Sequence, residues 1–174
     1  SKSIVGLLVG ELIASKQIDP EALASSYVPE LAGSAVGEAR IRDLLDMLVQ
    51  YQFGSNQAHT LGLQTAALQA FGTLPRPKDY SGPNGIYELL RTAQSTGPTG
   101  HFRYDNGNTE TLAWVLQRVT GKDFATLVSE RIWQPMGAAS DAMVALDPTG
   151  APNTSGGKRF CQAFPALQAF ADGA

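Results

Sequence analysis

The chain has 174 residues, with 13 Lys and Arg against 16 Asp and Glu and a net charge of −3 when both histidines are neutral. That balance supplies no basic face for neutralising phosphates and argues against nucleic-acid binding. Hydrophobic residues at 43% and charged residues at 17% provide one core and exclude a disordered tail, while the single Cys161 excludes a disulfide framework and every multi-cysteine metal site.

The longest apolar stretch, Ile4 to Val9, is too short to span a bilayer, so no membrane anchor is expected in this chain. Ser1-Lys2-Ser3 runs directly into it, Gly10-Glu11 interrupts it, and no cleavage pattern follows, so the start reads as a cut rather than a signal peptide. The ending Phe170 to Ala174 also looks arbitrary, and the chain is expected to be a fragment. From Ser3 to Ser15 the apolar residues recur at helical spacing, which predicts a strongly buried opening helix with Lys16 at its trailing end. Asp19-Pro20-Glu21 is a turn or helix start, Tyr27 to Ser34 an irregular connection, and Ile41 to Leu48 a short amphipathic helix.

Gln50 to Thr60 and Thr73 to Asn84 read as surface loops around a weaker helix at Leu61 to Phe71. Ile86 to Thr96 reads as a helix stopped by Gly97-Pro98. After the polar and aromatic stretch His101 to Gly107, Asn108 or Thr109 is expected to cap a helix lined by Leu112, Ala113, Val115, Leu116 and Val119 and ended by Gly121. Asp123 caps a further helix from Phe124 to Trp133, and the two can form a helical hairpin; Ala142 to Leu146 reads as a short strand. No internal repeat and no alternation suited to a large sheet is present.

Chemistry-bearing patterns are few. His59 and His101 have no partner at metal-ligand spacing, and there is no Gly-x-Ser-x-Gly elbow, dinucleotide fingerprint or P-loop. Two short signals remain: Lys2 at the start of a buried helix, where a cation opposes the helix dipole, and Tyr104-Asp105-Asn106 in a loop before a helix. On residue types alone the plainer readings prevail, a lysine left near a chain end and an aromatic anchoring a loop.

Taken together, Tyr104-x-Asn106-x-Asn108-Thr109-Glu110-x-Leu112-Ala113-Trp114-Val115, Arg118-Val119-Thr120-Gly121 and Ile132-Trp133-x-Pro135-Met136-Gly137 resemble the serine β-lactamase-related hydrolases. The similarity is greatest to the branch of 6-aminohexanoate-dimer hydrolases and class C-like esterases. Tyr27 to Leu31, Arg42 to Met47 and Gly156-Gly157 extend the resemblance in the same order over nearly the whole chain. It implies a mainly α chain, the helical region of a β-lactamase/transpeptidase-like α+β fold, with residues 1–174 its helix-rich central part, truncated at both ends, and the antiparallel sheet in flanking segments.

The same resemblance implies a serine hydrolase of esters or amides acting through an acyl-enzyme, with no metal or organic cofactor and a small-molecule substrate. Lys2 matches the lysine of the family's Ser-x-x-Lys motif, which puts the nucleophile before Ser1 and outside the chain. Lys2 then activates that serine, Tyr104 passes its proton to the leaving group, and Asn106 hydrogen-bonds the substrate or Lys2. Serine needs such a base because its hydroxyl is a weak nucleophile at neutral pH, and lysine or tyrosine can serve without histidine. The 174 residues alone are expected to be inactive. A reading from another class is a non-catalytic β-lactam-sensing or scaffold module of the same fold.

Ser155-Gly156-Gly157-Lys158 also spells Ser-x-x-Lys, but two glycines make a poor helix, so it reads as coincidence. Asp105 is expected to be a solvated loop residue, Trp114 a core residue, and His101 and Arg103 exposed loop residues. Asn153-Thr154-Ser155 has the glycosylation spelling and is read as unused. The chain departs from the family at Leu48 to Tyr51 and at Lys158 to Leu167. Oligomeric state has no signal, and the compartment stays open because an export signal would precede Ser1.

Overall fold

In the computed structural model, which describes residues 2–53 and 67–154, the opening apolar stretch forms helix α1 (Lys2–Ala14). Val5, Leu8, Val9 and Leu12 are buried at i, i+3, i+4 and i+7 spacing, whereas Leu7 is 61% exposed. The helix forms as expected, with its burial confined to one stripe. Lys16, with φ 61°, turns the chain left-handed just beyond the helix.

Two short turns follow, α2 (Ala24–Tyr27) and a 3-10 turn (Pro29–Leu31), then α3 (Ile41–Leu45). The expected helix to Leu48 ends early because Met47 adopts φ 54°, a left-handed conformation that helix propagation does not allow. The Met47 carbonyl then accepts the Arg103 amide at 2.9 Å.

The expected loop from Gln50 begins instead with strand β1 (Tyr51–Phe53), antiparallel to β2 (Ala93–Ser95), with Tyr51 opposite Ser95 and Phe53 opposite Ala93. The expected helix Ile86 to Thr96 is accordingly cut to α4 (Ile86–Arg91). Three-residue strands carry too few residues for a period-two signal, and the pairing partner is some forty residues away in sequence. Residues 67–70 are helical as expected; the rest of the Leu61 to Phe71 helix, the loop residues from Gly54 to Thr60, the Ser155 to Lys158 motif and the divergent Lys158 to Leu167 stretch lie outside the described residues.

Helix α5 (Asn106–Thr120) begins two to three residues before the expected cap, with Asp105 as N-cap, and ends as expected at Gly121, whose φ of 67° suits a left-handed cap. Residues 107–116 are all buried, so α5 is enclosed rather than amphipathic; α1, α2, α3 and α4 pack against it. Asp123 caps α6 (Phe124–Val128) as expected, and the helix continues into a π-helical turn (Ser129–Trp133). In place of the expected strand at Ala142 to Leu146 there is a single bridge between Leu146 and Pro152. Between them Asp147 Oδ1 accepts the amides of Thr149 and Ala151, at 2.8 and 2.9 Å, while Oδ2 accepts the Ile86 amide at 2.6 Å and so caps α4 from 61 residues away. Among the described residues the chain is thus mainly helical with one two-stranded ribbon.

Candidate active site

In the segment from Gly100 to Asp105 the rings of Phe102 and Tyr104 are 71% and 62% exposed. The segment is held by its backbone and by the side chains of Arg103 and Asp105. The Gly100 amide donates to the Leu48 carbonyl at 3.3 Å and the Arg103 amide to the Met47 carbonyl. The Gln50 side chain donates to the His101 carbonyl at 2.6 Å, and the Arg103 guanidinium to the Tyr51 carbonyl at 2.9 Å. The turn after α3 and the start of β1 therefore form the cradle of the loop, which is why left-handed Met47 matters to the site.

At the end of this loop Asp105 stands in extended backbone, φ −147° and ψ 137°, and its Oδ1 accepts the Gly107 amide at 3.3 Å as an N-cap. Oδ1 also accepts the hydroxyl of Tyr51 at 2.5 Å, and Oδ2 faces the Arg103 guanidinium at 3.5 Å. Burial first, and the Asp105 carboxylate second, push the Tyr51 phenol well above its ordinary pKa, so Tyr51 is a proton donor throughout the neutral range. A Cβ on Gly107 would run into the Tyr51 ring, so glycine is required there for close approach.

Lys2 is the first residue of α1 and half-buried. Its ammonium lies 5.2 Å from the centroid of the Tyr104 ring, within the range of a cation–π contact. Two of the three expected site residues, 102 positions apart in sequence, are thus brought together. Asn106, the first residue of α5 and half-exposed, lies two positions beyond Tyr104; its side chain makes no hydrogen bond among the described residues.

Several expectations for neighbouring residues change. Asp105 is not a solvated loop residue but a partly buried acceptor with three partners. Arg103 is engaged with Tyr51 and Asp105 rather than projecting freely into solvent. Trp114 is a core residue as expected, 7% exposed and stacked on Tyr87 with ring centroids 4.0 Å apart. It also edges an open cleft of about 350 Å³ lined by Glu30, Tyr87, Arg91 and Thr149, none of which belongs to the Tyr104 loop. Asn153 is 9% exposed and its backbone amide donates to the Ala145 carbonyl at 2.8 Å. Sequence carries no signal for Tyr51, because one aromatic in a polar stretch has no period; for Asp105 it carries one local signal, a cap residue followed at once by Asn-Gly.

Among the described residues no group of three or more His, Cys, Asp or Glu is placed to hold a metal ion, and no helix is long and apolar enough to cross a membrane.

Comparison with known proteins bears on this geometry. The chain is 35% identical over 158 residues to the 6-aminohexanoate-dimer hydrolase of Paenarthrobacter ureafaciens, an alignment covering 90% of this chain and 40% of that protein. The structure is similar, at a TM-score of 0.77 and 35% identity, to a putative 6-aminohexanoate-dimer hydrolase from Bacillus anthracis, over 87% of this chain and 41% of that one. A D-stereospecific amidohydrolase from a Streptomyces species shares the fold at 16% identity and a TM-score of 0.57, over 84% of this chain and 44% of its own. The chain therefore spans about 40% of the length of the hydrolase relatives it matches. The Beta-lactamase family model matches residues 1–169, and with that coverage the chain belongs to the β-lactamase family.

Proposed function

We propose that the protein is a serine hydrolase of small amides or esters, and that this chain supplies its lysine, tyrosine and asparagine while flanking segments supply the nucleophile and the sheet of an α+β fold. The observation that carries this reading is the Lys2 ammonium set 5.2 Å from the Tyr104 ring in a chain of this family. A serine three positions before Lys2 would lie one helical turn away on the same face of an extended α1, within reach of the lysine.

In the proposed sequence Lys2, acting as the free amine, takes the serine proton as the hydroxyl attacks the substrate carbonyl, and Tyr104 delivers a proton to the departing amine or alcohol. The proton taken up by Lys2 then passes to Tyr104, which returns both side chains to their starting states without a histidine. Asn106 hydrogen-bonds the substrate or Lys2, and water then hydrolyses the acyl-enzyme. The oxyanion donors would be the nucleophile's own amide and an amide from a late strand outside the chain. The hydrolase relatives bear names that denote amide substrates, which favours the amide branch for this protein.

The test is the intact mass of the full natural protein before and after a fluorophosphonate probe. One adduct three residues before Lys2, slowed about 10³-fold by Lys2→Ala, is expected. A different residue at that position and no adduct would establish the non-catalytic module instead.

A further inference from the structure

Tyr104 is 62% exposed, so packing of its own ring does not hold it over Lys2. Its direction has to come from the backbone. On its N-terminal side that backbone is tied to Met47 through the Arg103 amide; on its C-terminal side it is fixed at Asp105, on which three parts of the molecule converge: the buried Tyr51 of β1 through its hydroxyl, Arg103 through its guanidinium, and the first turn of α5 through the Gly107 amide. An extended residue turns its own side chain to one side and those of its neighbours to the other. With Asp105 drawn inward to Tyr51, Tyr104 is directed outward, to the side where Lys2 stands. The interlock is tight, because Gly107 leaves no space for Tyr51 to shift toward the helix.

We propose that Asp105, held by Tyr51, Arg103 and the Gly107 amide, is a positioning residue that aims Tyr104 at the Lys2 ammonium. This rests on the hydrolase reading above. The carboxylate does not touch the reacting atoms. Its charge is spent on Arg103, on the Tyr51 hydroxyl and on the helix start, so it acts through Tyr104 alone.

That dependence makes it separable from a stabilising role. In the full natural protein, the rate of acylation by a short-chain acyl p-nitroanilide, read as nitroaniline release, is measured for Tyr104→Phe, Asp105→Ala, Asp105→Asn and the Asp105→Ala/Tyr104→Phe double variant. Tyr104→Phe is expected to slow acylation about 10³-fold, and Asp105→Ala about 10²-fold, the cost of misplacing a reacting group by an ångström. With phenylalanine at 104, Asp105→Ala should cost no more than about 2-fold further, since coupled residues are not additive. Asp105→Asn keeps an oxygen for Gly107 and Tyr51 and should recover most of the rate. An equal loss in both backgrounds, or a lowered melting temperature with unchanged acylation, overturns the inference and leaves the hydrolase reading standing. If Tyr104→Phe itself acylates normally, or the natural protein takes no adduct, the role of Tyr104 falls and the inference falls with it. Should Asp105→Ala fail to fold, Tyr51→Phe in the same two backgrounds decides by the same criterion.

Discussion

Asp105 and Asp123 both open helices, both in extended backbone, and both accept an amide from the first turn. Asp123 is a closed local device. Its Oδ1 takes the Thr126 amide at 2.9 Å and its Oδ2 the Thr126 hydroxyl at 2.7 Å, all in solvent and all within three residues. Those two bonds hold its carboxyl below the usual carboxylate range. Asp105 makes the same kind of cap but is also bound to Tyr51, 54 positions away, and to Arg103. One aspartate ends a chain segment neatly; the other ties a loop to a strand. The difference lies in the tertiary neighbours, not in the residue or its local position.

The comparison has a third member in Asp147, which caps α4 from another part of the chain because Gly85, the local N-cap, has no side chain to do so. Replacing Asp147 by alanine strands the Ile86, Thr149 and Ala151 amides in a buried site and should cost about 3 kcal/mol in urea unfolding. A cost near that of an exposed cap would show that water replaces the carboxylate. Gly107→Ala drives a methyl into the Tyr51 ring and should cost about 2 kcal/mol; a neutral result would mean that β1 and α5 can part without penalty.

Tyr51→Phe removes one donor to a carboxylate and should cost about 1.5 kcal/mol at neutral pH. It should also change the alkaline limb. The folded pKa of Tyr51 is raised above its unfolded value of 10.0, so its contribution is present below pH 10 and is lost as pH rises beyond it. The phenylalanine variant should therefore lose less stability above pH 10 than the parent, and parallel curves would contradict the buried phenol. Asp123→Ala should show the smallest effect, about 1 kcal/mol. Its sign with pH is opposite: a depressed carboxyl stabilises above the unfolded pKa of 3.8 and loses that contribution as pH falls. Parent and Asp123→Ala stabilities should converge on acidification, whereas a constant gap would place the loss outside the carboxylate.

The amino-acid sequence by itself determined the opening helix, the Asp123 cap and the Gly121 stop, because each is written within a few neighbouring residues. Helical periodicity and capping depend on spacings of two to seven positions, and those are visible in a string. Only the tertiary structure decided that Ala93 to Ser95 leaves the helix for β1, that Met47 turns left-handed to receive Arg103, and that Tyr51 reaches Asp105. Those outcomes depend on hydrogen bonds between groups some 40 to 56 positions apart. No local pattern carries such a pairing, since its free energy appears only when the two segments are already side by side. Lys2 and Tyr104 mark the boundary between the two kinds of information: their motifs were legible in sequence, but the 5.2 Å between ammonium and ring is a property of the folded chain.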